Sequence, residues 1–316
     1  MAVTLADAKL LTQDKLTQDV IDEFRKDNLM DLLIYDNCIA MNGGSTLAYT
    51  YNRVQTQGTA AFRKINAEYT PQEAKTKQYT TNLKVFGGSF GIDRVIQKHV
   101  KGVTNQLAFQ MQQKIKGAQA LFSDTFFNGS VAQNEDVFDG LDVALTGSST
   151  EVNPAAVIDL SSATAIDSNY KAFLDAVEDM LAELDGTPTF LAMNRKMRSA
   201  FNKVGRRTVS FTETRDEFGK PVQYYDGIQL ITIGDKPNTS NPIIANDEKN
   251  GTSLYAVRVG LDGVCGITPE GDDIIDVYMP DFEIPGAVKK GEVEMVAGIA
   301  VKATKAAGVL RKIKVA

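Results

Sequence analysis

An α+β fold is predicted for this chain by three features of its sequence. Two runs with period-two alternation, STLAYTYNRV and QYTTNLKVF, read as strands early in the chain. A long stripe of apolar residues at steps of three and four then runs from Ile96 to Phe122 and reads as helix. Beyond Phe138, helix-period and strand-period segments alternate at short spacing, the texture of a mixed layer.

Composition bounds the possibilities. At 316 residues the chain is long enough for one large domain or two ordinary ones. Its 43% hydrophobic and 23% charged content is that of an ordinary globular protein. The opening MAVTLADAKLLTQDK lacks the apolar core of a signal peptide, and no apolar run approaches the ~20 residues of a membrane span. No membrane partner is expected. The net charge of −6 argues against a surface that grips nucleic acid through a strong positive field. Cys38 and Cys265 form no metal-ligand pattern and read as reduced thiols of a cytoplasmic protein, with a disulfide between them left open.

Taken in order, Leu16, Val20, Ile21 and Phe24 predict a short amphipathic helix, followed by LMDLLIYDN, too apolar to leave in water. The first strand-like run puts Leu47, Tyr49 and Tyr51 on one face; the second does the same for Tyr79, Thr81, Leu83 and Val85. The polar connection at 55–78, with a proline-started turn expected at Pro71, is far longer than the usual ~2–5 residues of a hairpin loop. A two-stranded ribbon is marginal alone, so this one suggests contact with another chain. LKVFGGSFGIDRVI reads as strand, glycine loop and helix. In the apolar stripe that follows, Gly102 is the expected break and Asn128-Gly129 the stop, through glycine's tolerance of the left-handed conformation. The long part should span roughly 40 Å at ~1.5 Å per residue.

The later elements carry clearer punctuation. Tyr170, Phe173, Leu174, Val177, Leu181 and Leu184 define a helix ending near Asp185-Gly186. TFLAM reads as a strand, and Asn194 caps the helix RKMRSAFNKV, with Gly205 at its end. VQYY and IQLITI flank Asp226-Gly227, a strong hairpin signal. SLYAVRV is another strand, and VEMVAGIAVKATKAAGVLRKIKV holds two strand-like runs around AAGVL.

Catalytic raw material is thin. His99 is the only histidine, lies in the polar run IQKHVKG and reads as a helix-surface residue. No GxSxG, HExxH or CxxC occurs. The acidic EGDDIIDVYMPDFE lacks the alternating ligands and central glycine of an EF-hand loop and reads as a solvated face. Gly87, Gly88 and Gly91 fit neither GxxxxGK[ST] nor GxGxxG, so a mechanical joint is favoured over a phosphate cradle. No catalytic residue, cofactor or metal is assigned.

In their order, these pieces resemble the major capsid proteins of tailed bacteriophages with the HK97 fold, closest to siphophage-type coat proteins. The resemblance rests on TLADAKLLTQDKLTQDVIDEFR, GGSTLAYTYNRV, INAEYTPQEAKTKQYTTNLKVFGGSFGIDRVI, ALFSDTFFNG, FDGL and VEMVAGIAVKATKAAGVLRKIKVA, and covers nearly the whole chain. It implies an N-terminal arm (1–45), an extended-loop hairpin (46–90), a spine helix and peripheral domain (91–140), an axial α/β domain (141–262) and peripheral C-terminal strands (263–316).

The resemblance further implies a non-enzymatic subunit that assembles with itself into the pentamers and hexamers of an icosahedral head. That head would enclose double-stranded DNA without sequence-specific binding. Phe62, Arg63, Lys64, Ile65, Glu68, Lys75 and Lys77 are the expected contacts with the adjacent subunit, and Gly87, Gly88 and Gly91 the expected hinge. The implied location is the virion, and the host cytoplasm during assembly. Portal and other head proteins are implied partners. The arm motif begins at Thr4, which calls for a separate scaffolding protein or a processed form. Some coats of this fold join a loop lysine to a neighbour's peripheral asparagine, but no asparagine follows Asn250, so a non-covalent shell is expected. The basic clusters Arg206-Arg207 and Arg311-Lys312 with Lys314 are expected in solvated or intersubunit roles rather than facing the lumen. Within the fold, the competing reading is an encapsulin-type bacterial nanocompartment; from another class, a soluble α/β enzyme, which should stop at a small oligomer.

Overall fold

The computed structural model describes residues 29–38, 47–99, 106–208, 211–215, 221–247, 251–269 and 275–316. A short helix α1 (Leu29–Leu32) and strand β1 (Tyr35–Cys38) precede the hairpin strands β2 (Ala48–Thr56) and β3 (Lys75–Asn82). Strand β4 (Lys84–Asp93) follows directly, then α2 (Arg94–His99) and the long helix α3 (Gln106–Asn128). After α4 (Leu141–Leu145) come β5 (Glu151–Val152), β6 (Ile158–Asp159), α5 (Ala163–Ala182), β7 (Phe190–Met193) and α6 (Arg195–Gly205). Strands β8 (Phe211–Arg215), β9 (Pro221–Tyr225), β10 (Ile228–Thr232), β11 (Thr252–Val257) and β12 (Val264–Pro269) precede β13 (Ile275–Tyr278), β14 (Val288–Val301) and β15 (Ala307–Lys314).

Local chemistry explains many boundaries. Ser162 caps α5 by accepting from the Ala165 N–H, and Asn194 caps α6 by accepting from Met197 at 2.8 Å. Asp226 and Gly227 both take positive φ, 48° and 77°, the turn that matches the twist of β9 and β10. The stop of α3 at Asn128 has a different cause from the expected one. Gly129 is not among the positive-φ glycines; instead, a Cβ there would lie 2.3 Å from the Phe138 carbonyl oxygen and 2.5 Å from that of Thr125. Close approach of two chain segments requires the glycine.

Two sheets share one core. The larger runs β5-β15-β11-β7-β10-β9-β8 with β6 also on β15; the smaller runs β1-β12-β14-β13 with β4 on β14. Along β7, Phe190 and Ala192 face one side and Leu191 and Met193 the other, as period-two alternation demands. The first side packs on Phe122, Phe126 and Phe127 of α3 and on Ala297, Ile299 and Val301 of β14. The second packs on Phe173, Val177 and Met180 of α5 and Met197 and Phe201 of α6. The hairpin β2–β3 forms a sheet of its own.

Two expectations are corrected here. The glycines of LKVFGGSFGID are not a loop: they lie inside β4, which pairs with β14 in unbroken register from Asp93↔Val288 to Lys84↔Ala297. Phe86, Gly88, Phe90 and Ile92 alternate toward the interior, and glycine at one inward position hides the period. At Gly87 a Cβ would sit 1.9 Å from the Val293 carbonyl oxygen, so the ladder needs a bare backbone there. Second, β15 does not stay with β14 but crosses to pair with β11, β5 and β6, where Val309, Leu310 and Ile313 are fully buried. The expected peripheral segment 263–316 therefore divides between the two sheets. The reading of Cys38 and Cys265 as reduced thiols agrees with the structure: both are free and buried in one small cluster. The parallel register sets Cys38 opposite Pro269, about 13 Å along the strand from Cys265 at ~3.3 Å per residue, beyond the ~7 Å reach of a disulfide. Leu16, Val20, Ile21 and Phe24 lie outside the described residues, as do Gly102 and Glu270 at the head of the acidic segment.

Candidate assembly surface

Strands β2 and β3 pair from Ala48↔Asn82 through Val54↔Thr76, with a bulge before Thr56↔Lys75. The first half of β2, to Arg53, is held on the body, and the chain beyond it is exposed throughout 54–74, so the tip at 57–74 projects. The chain reverses at Ile65-Asn66 rather than at Pro71. Asn66 takes φ 66°, which asparagine tolerates, and the Ala67 N–H closes the turn onto the Lys64 carbonyl at 3.1 Å. The Arg63 guanidinium donates to the Ala67 carbonyl at 3.1 Å and lies 5.5 Å from the Tyr69 ring.

The sequence-predicted contact residues all sit on this projection. Phe62 is 107% exposed and Ile65 92%. Arg63, Lys64 and Glu68 are exposed beside them, and Lys75 and Lys77 are exposed on β3, where the Lys77 ammonium lies 5.2 Å from the Tyr79 ring. Leaving Phe62 and Ile65 in water forgoes ~1.5–3 kcal/mol each relative to burial. Gly87, Gly88 and Gly91 lie apart from the tip, in β4.

The stem is held by residues that strand periodicity puts on one face but does not assign a partner. Tyr49, Tyr51 and Arg53 all turn inward. The Tyr49 hydroxyl donates to Asp36 Oδ2 at 2.5 Å, and Lys302 Nζ donates to the same oxygen at 2.8 Å. Tyr51 donates to the Val301 carbonyl at 3.0 Å; Arg53 donates to that carbonyl too and to Thr304 Oγ1 at 3.3 Å. Above them Tyr51 stacks on Tyr79 at 5.8 Å, and the Arg53 guanidinium lies 4.3 Å from the Tyr79 ring. Burial opposes the Asp36 charge, but hydrogen bonds from Lys302 and Tyr49 outweigh it and hold the carboxyl below its ordinary range. Lys302 rises well above its ordinary value: its own burial works against the charge, and the bonds to Asp36 and Tyr49 prevail. Val301, Lys302 and Thr304, which take part in these bonds with Asp36 of β1, lie where β14 links to β15 and so between the two sheets.

Beside the stem runs a trough made of two adjoining cavities. One, of about 380 Å³, lies between the stem and α4; the other, of about 400 Å³, lies between β4 and α3. Lys84 and Phe138 line both. Phe86, Phe122 and Val137 floor the second cavity, and Val85 and Leu121 stand exposed at its edge. Glu135 and Asp136 are exposed on its rim, where Lys84 donates to the Glu135 carbonyl.

The basic clusters have mostly internal partners. Arg311 pairs with Glu151, and with Asp142 at 2.7 Å, and donates to Thr146 Oγ1 at 3.0 Å; Tyr255 donates to Asp142 at 3.1 Å. Arg311 therefore ties β15 to α4 and β5 instead of lying on an open face. Lys312 donates to the Pro154 carbonyl at 3.0 Å, while Arg207 pairs with Asp167 at the surface. His99 is the last residue of α2.

No protein-family model and no curated protein matches the chain. Solved structures do. The holo-SrpI encapsulin complex from Synechococcus elongatus PCC 7942 is similar with a TM-score of 0.65 at 16% identity, covering 99% of this chain and 97% of that one. The capsid of the native GTA particle gives 0.60 at 13% identity over 98% and 100% of the two chains. Microbacterium phage Oxtober96 gives 0.56 at 13% identity over the whole of both. At these identities the likeness shows the fold, and it spans the chain from end to end.

Proposed function

We propose that this chain, which carries the HK97-type fold of phage capsid subunits, is a major capsid protein that builds an icosahedral phage head around double-stranded DNA. The observation that carries the reading is the hairpin. It leaves the body, exposes Phe62 and Ile65 completely at its tip and is fixed at its base by six hydrogen-bonding side chains, so it is presented rather than loose. A stiff projection with an apolar end suits a surface that repeats around a ring, where each subunit reaches over the next.

The segments then take the following roles. Residues 1–45 form the arm and 46–83 the overlapping hairpin. The peripheral body is β4, α2, α3, β12, β13 and β14, and the axial body is built from 141–257 together with β15. Gly87, Gly88 and Gly91, which weaken β4 without interrupting it, act as the place where the peripheral ribbon flexes. The role is structural, with pentamers and hexamers of the chain as its first partners. A scaffolding protein, a portal and other head proteins are further ones, and DNA is confined without being read.

One observation favours the second reading, an encapsulin-type compartment: the encapsulin TM-score of 0.65 is no lower than the 0.60 of the GTA capsid. Contents separate the two. Particles of the purified chain should appear by electron microscopy and, from infected or producing cells, carry DNA with nucleic-acid absorbance; particles filled with an enzyme instead would turn the assignment to the compartment. Replacing 55–78 by an Asn-Gly turn should leave circular dichroism near native yet abolish regular shells. Shells forming as readily as in the parent would refute the role given to the loop.

A further inference from the structure

We propose that Asp36 latches the arm strand β1 to the hairpin stem, so that unseating either one loosens the other. The carboxylate belongs to β1, while its two donors come from elsewhere. The Tyr49 hydroxyl reaches it from the stem at 2.5 Å, and Lys302 Nζ from the link between the sheets at 2.8 Å. The Lys302 ammonium also lies 4.9 Å from the Tyr49 ring, so the three side chains close on one another. Period-two alternation puts Cys38 on the same face of β1 as Asp36. Cys38, 1% exposed, shares a cluster with Leu83 at the foot of the hairpin and with Tyr49 and Tyr51 of the stem. The Leu83 N–H in turn donates to the Leu47 carbonyl at 2.8 Å and closes the hairpin's base. Polar and apolar contacts of β1 thus converge on the stem.

Neither element has a strong hold of its own. β1 is four residues long at the edge of its sheet, joined to β12 by a parallel ladder. The Thr268 hydroxyl adds one bond, to Asn37 Oδ1 at 3.0 Å. The stem is a two-stranded sheet, marginal by itself. Two weakly held elements that share a carboxylate are coupled: opening either one strands polar groups of the other, and linkage makes the effect equal in both directions. The latch is a property of one subunit. Its consequence for assembly rests on the shell reading above: whatever holds or releases the segment before Leu29 sets how firmly the hairpin points.

The test takes two readings on the full chain in solution. Alkylation of Cys38 by N-ethylmaleimide, mapped by peptide mass spectrometry, reports on β1, and amide exchange at β2 and β3 reports on the stem. Cys265, fully buried on β12, is the internal control. Arg53→Met cuts the stem from the Val301 carbonyl and Thr304, bonds that involve no residue of β1. It should speed stem exchange and, through the latch, Cys38 alkylation by about fivefold, with Cys265 unchanged. Asn37→Ala, which frees β1 from Thr268, should speed stem exchange by a similar factor, and it decides alone should Arg53→Met fail to fold. In an Asp36→Asn background each cross-effect should vanish while the direct effects stay. Faster stem exchange without faster Cys38 alkylation in Arg53→Met, or cross-effects that persist in Asp36→Asn, would overturn the latch. Folded variants that move neither reading would overturn it as well. Absence of particles from the parent chain would sink the shell reading and leave this comparison standing.

Discussion

Replacing Asp36 by Asn probes whether the stem's direction is energetically set. The carboxylate accepts from Tyr49 and Lys302 together, at 2.5 and 2.8 Å, with the two partners of the ion pair 16% and 32% exposed at the side chain. Charge-assisted bonds of this kind are worth ~1.5–3 kcal/mol when shielded, and exposed pairs ~0.2–1. Partial exposure puts the expected loss at about 1–2 kcal/mol, a factor of ~5–30 in the local opening equilibrium. Hydrogen exchange read by mass spectrometry should therefore speed up at amides of β2 and β3 by that factor, with α5 and α6 unchanged. The pH dependence has a definite sign. Because the folded carboxyl is depressed, its contribution is complete above the ordinary carboxylate range and is lost as pH falls through the folded value. The raised Lys302 contributes below the ordinary lysine range and is lost only in strong alkali. Acidification should thus loosen the stem of the parent and leave Asp36→Asn unaffected. Unchanged stem exchange in the variant at neutral pH would refute the anchor.

Two more outcomes can be measured. Asn194, 1% exposed, caps α6 and also donates to the Ile244 carbonyl at 3.0 Å and Thr252 Oγ1 at 2.8 Å. Asn194→Ala should cost about 2–4 kcal/mol, the sum of a cap and stranded buried acceptors, with Ser recovering only the cap's share of ~1 kcal/mol in urea titrations. Denaturing gels of mature particles should show one monomer band, since no asparagine follows Asn250 to accept a loop lysine; a ladder of rings would contradict this.

Sequence reading succeeded where the cause of a structure is local. The cap at Asn194 and the turn at Asp226-Gly227 are each written within a few residues. The outward Phe62 and Ile65 were legible because nothing near them could bury them. What escaped depends on partners far along the chain. Glycines are poor strand residues by propensity, and only β14, about two hundred residues later, makes a strand of β4. Arg311 read as a surface cation because Asp142 and Glu151 are remote in sequence. The anchor had a trace, the alternation of Tyr49, Tyr51 and Arg53, but alternation names a face and not what lies beneath it. The trough needed β4 and α3 in position before it existed at all.

The placing of β14 and β15 bears on how the subunit is born. Each sits in the interior of its sheet, β14 between β4 and β12–β13, β15 between β11 and the β5–β6 edge. Until Val288–Lys314 has been synthesised, the smaller sheet lacks the strand that joins its members, the larger lacks the strand that carries β5 and β6, and β4, β5 and β6 have no ladder to join. Pairings this distant form slowly, because a long loop must be closed before any contact stabilises it. The stem waits as well, since its anchor is Val301–Thr304. A nascent chain therefore cannot present an oriented hairpin while still attached to the ribosome at its unfinished end. Crowded polysomes would hold many copies of the hairpin sequence but few that point anywhere. Readiness to associate is acquired late, by the same strands that complete the fold.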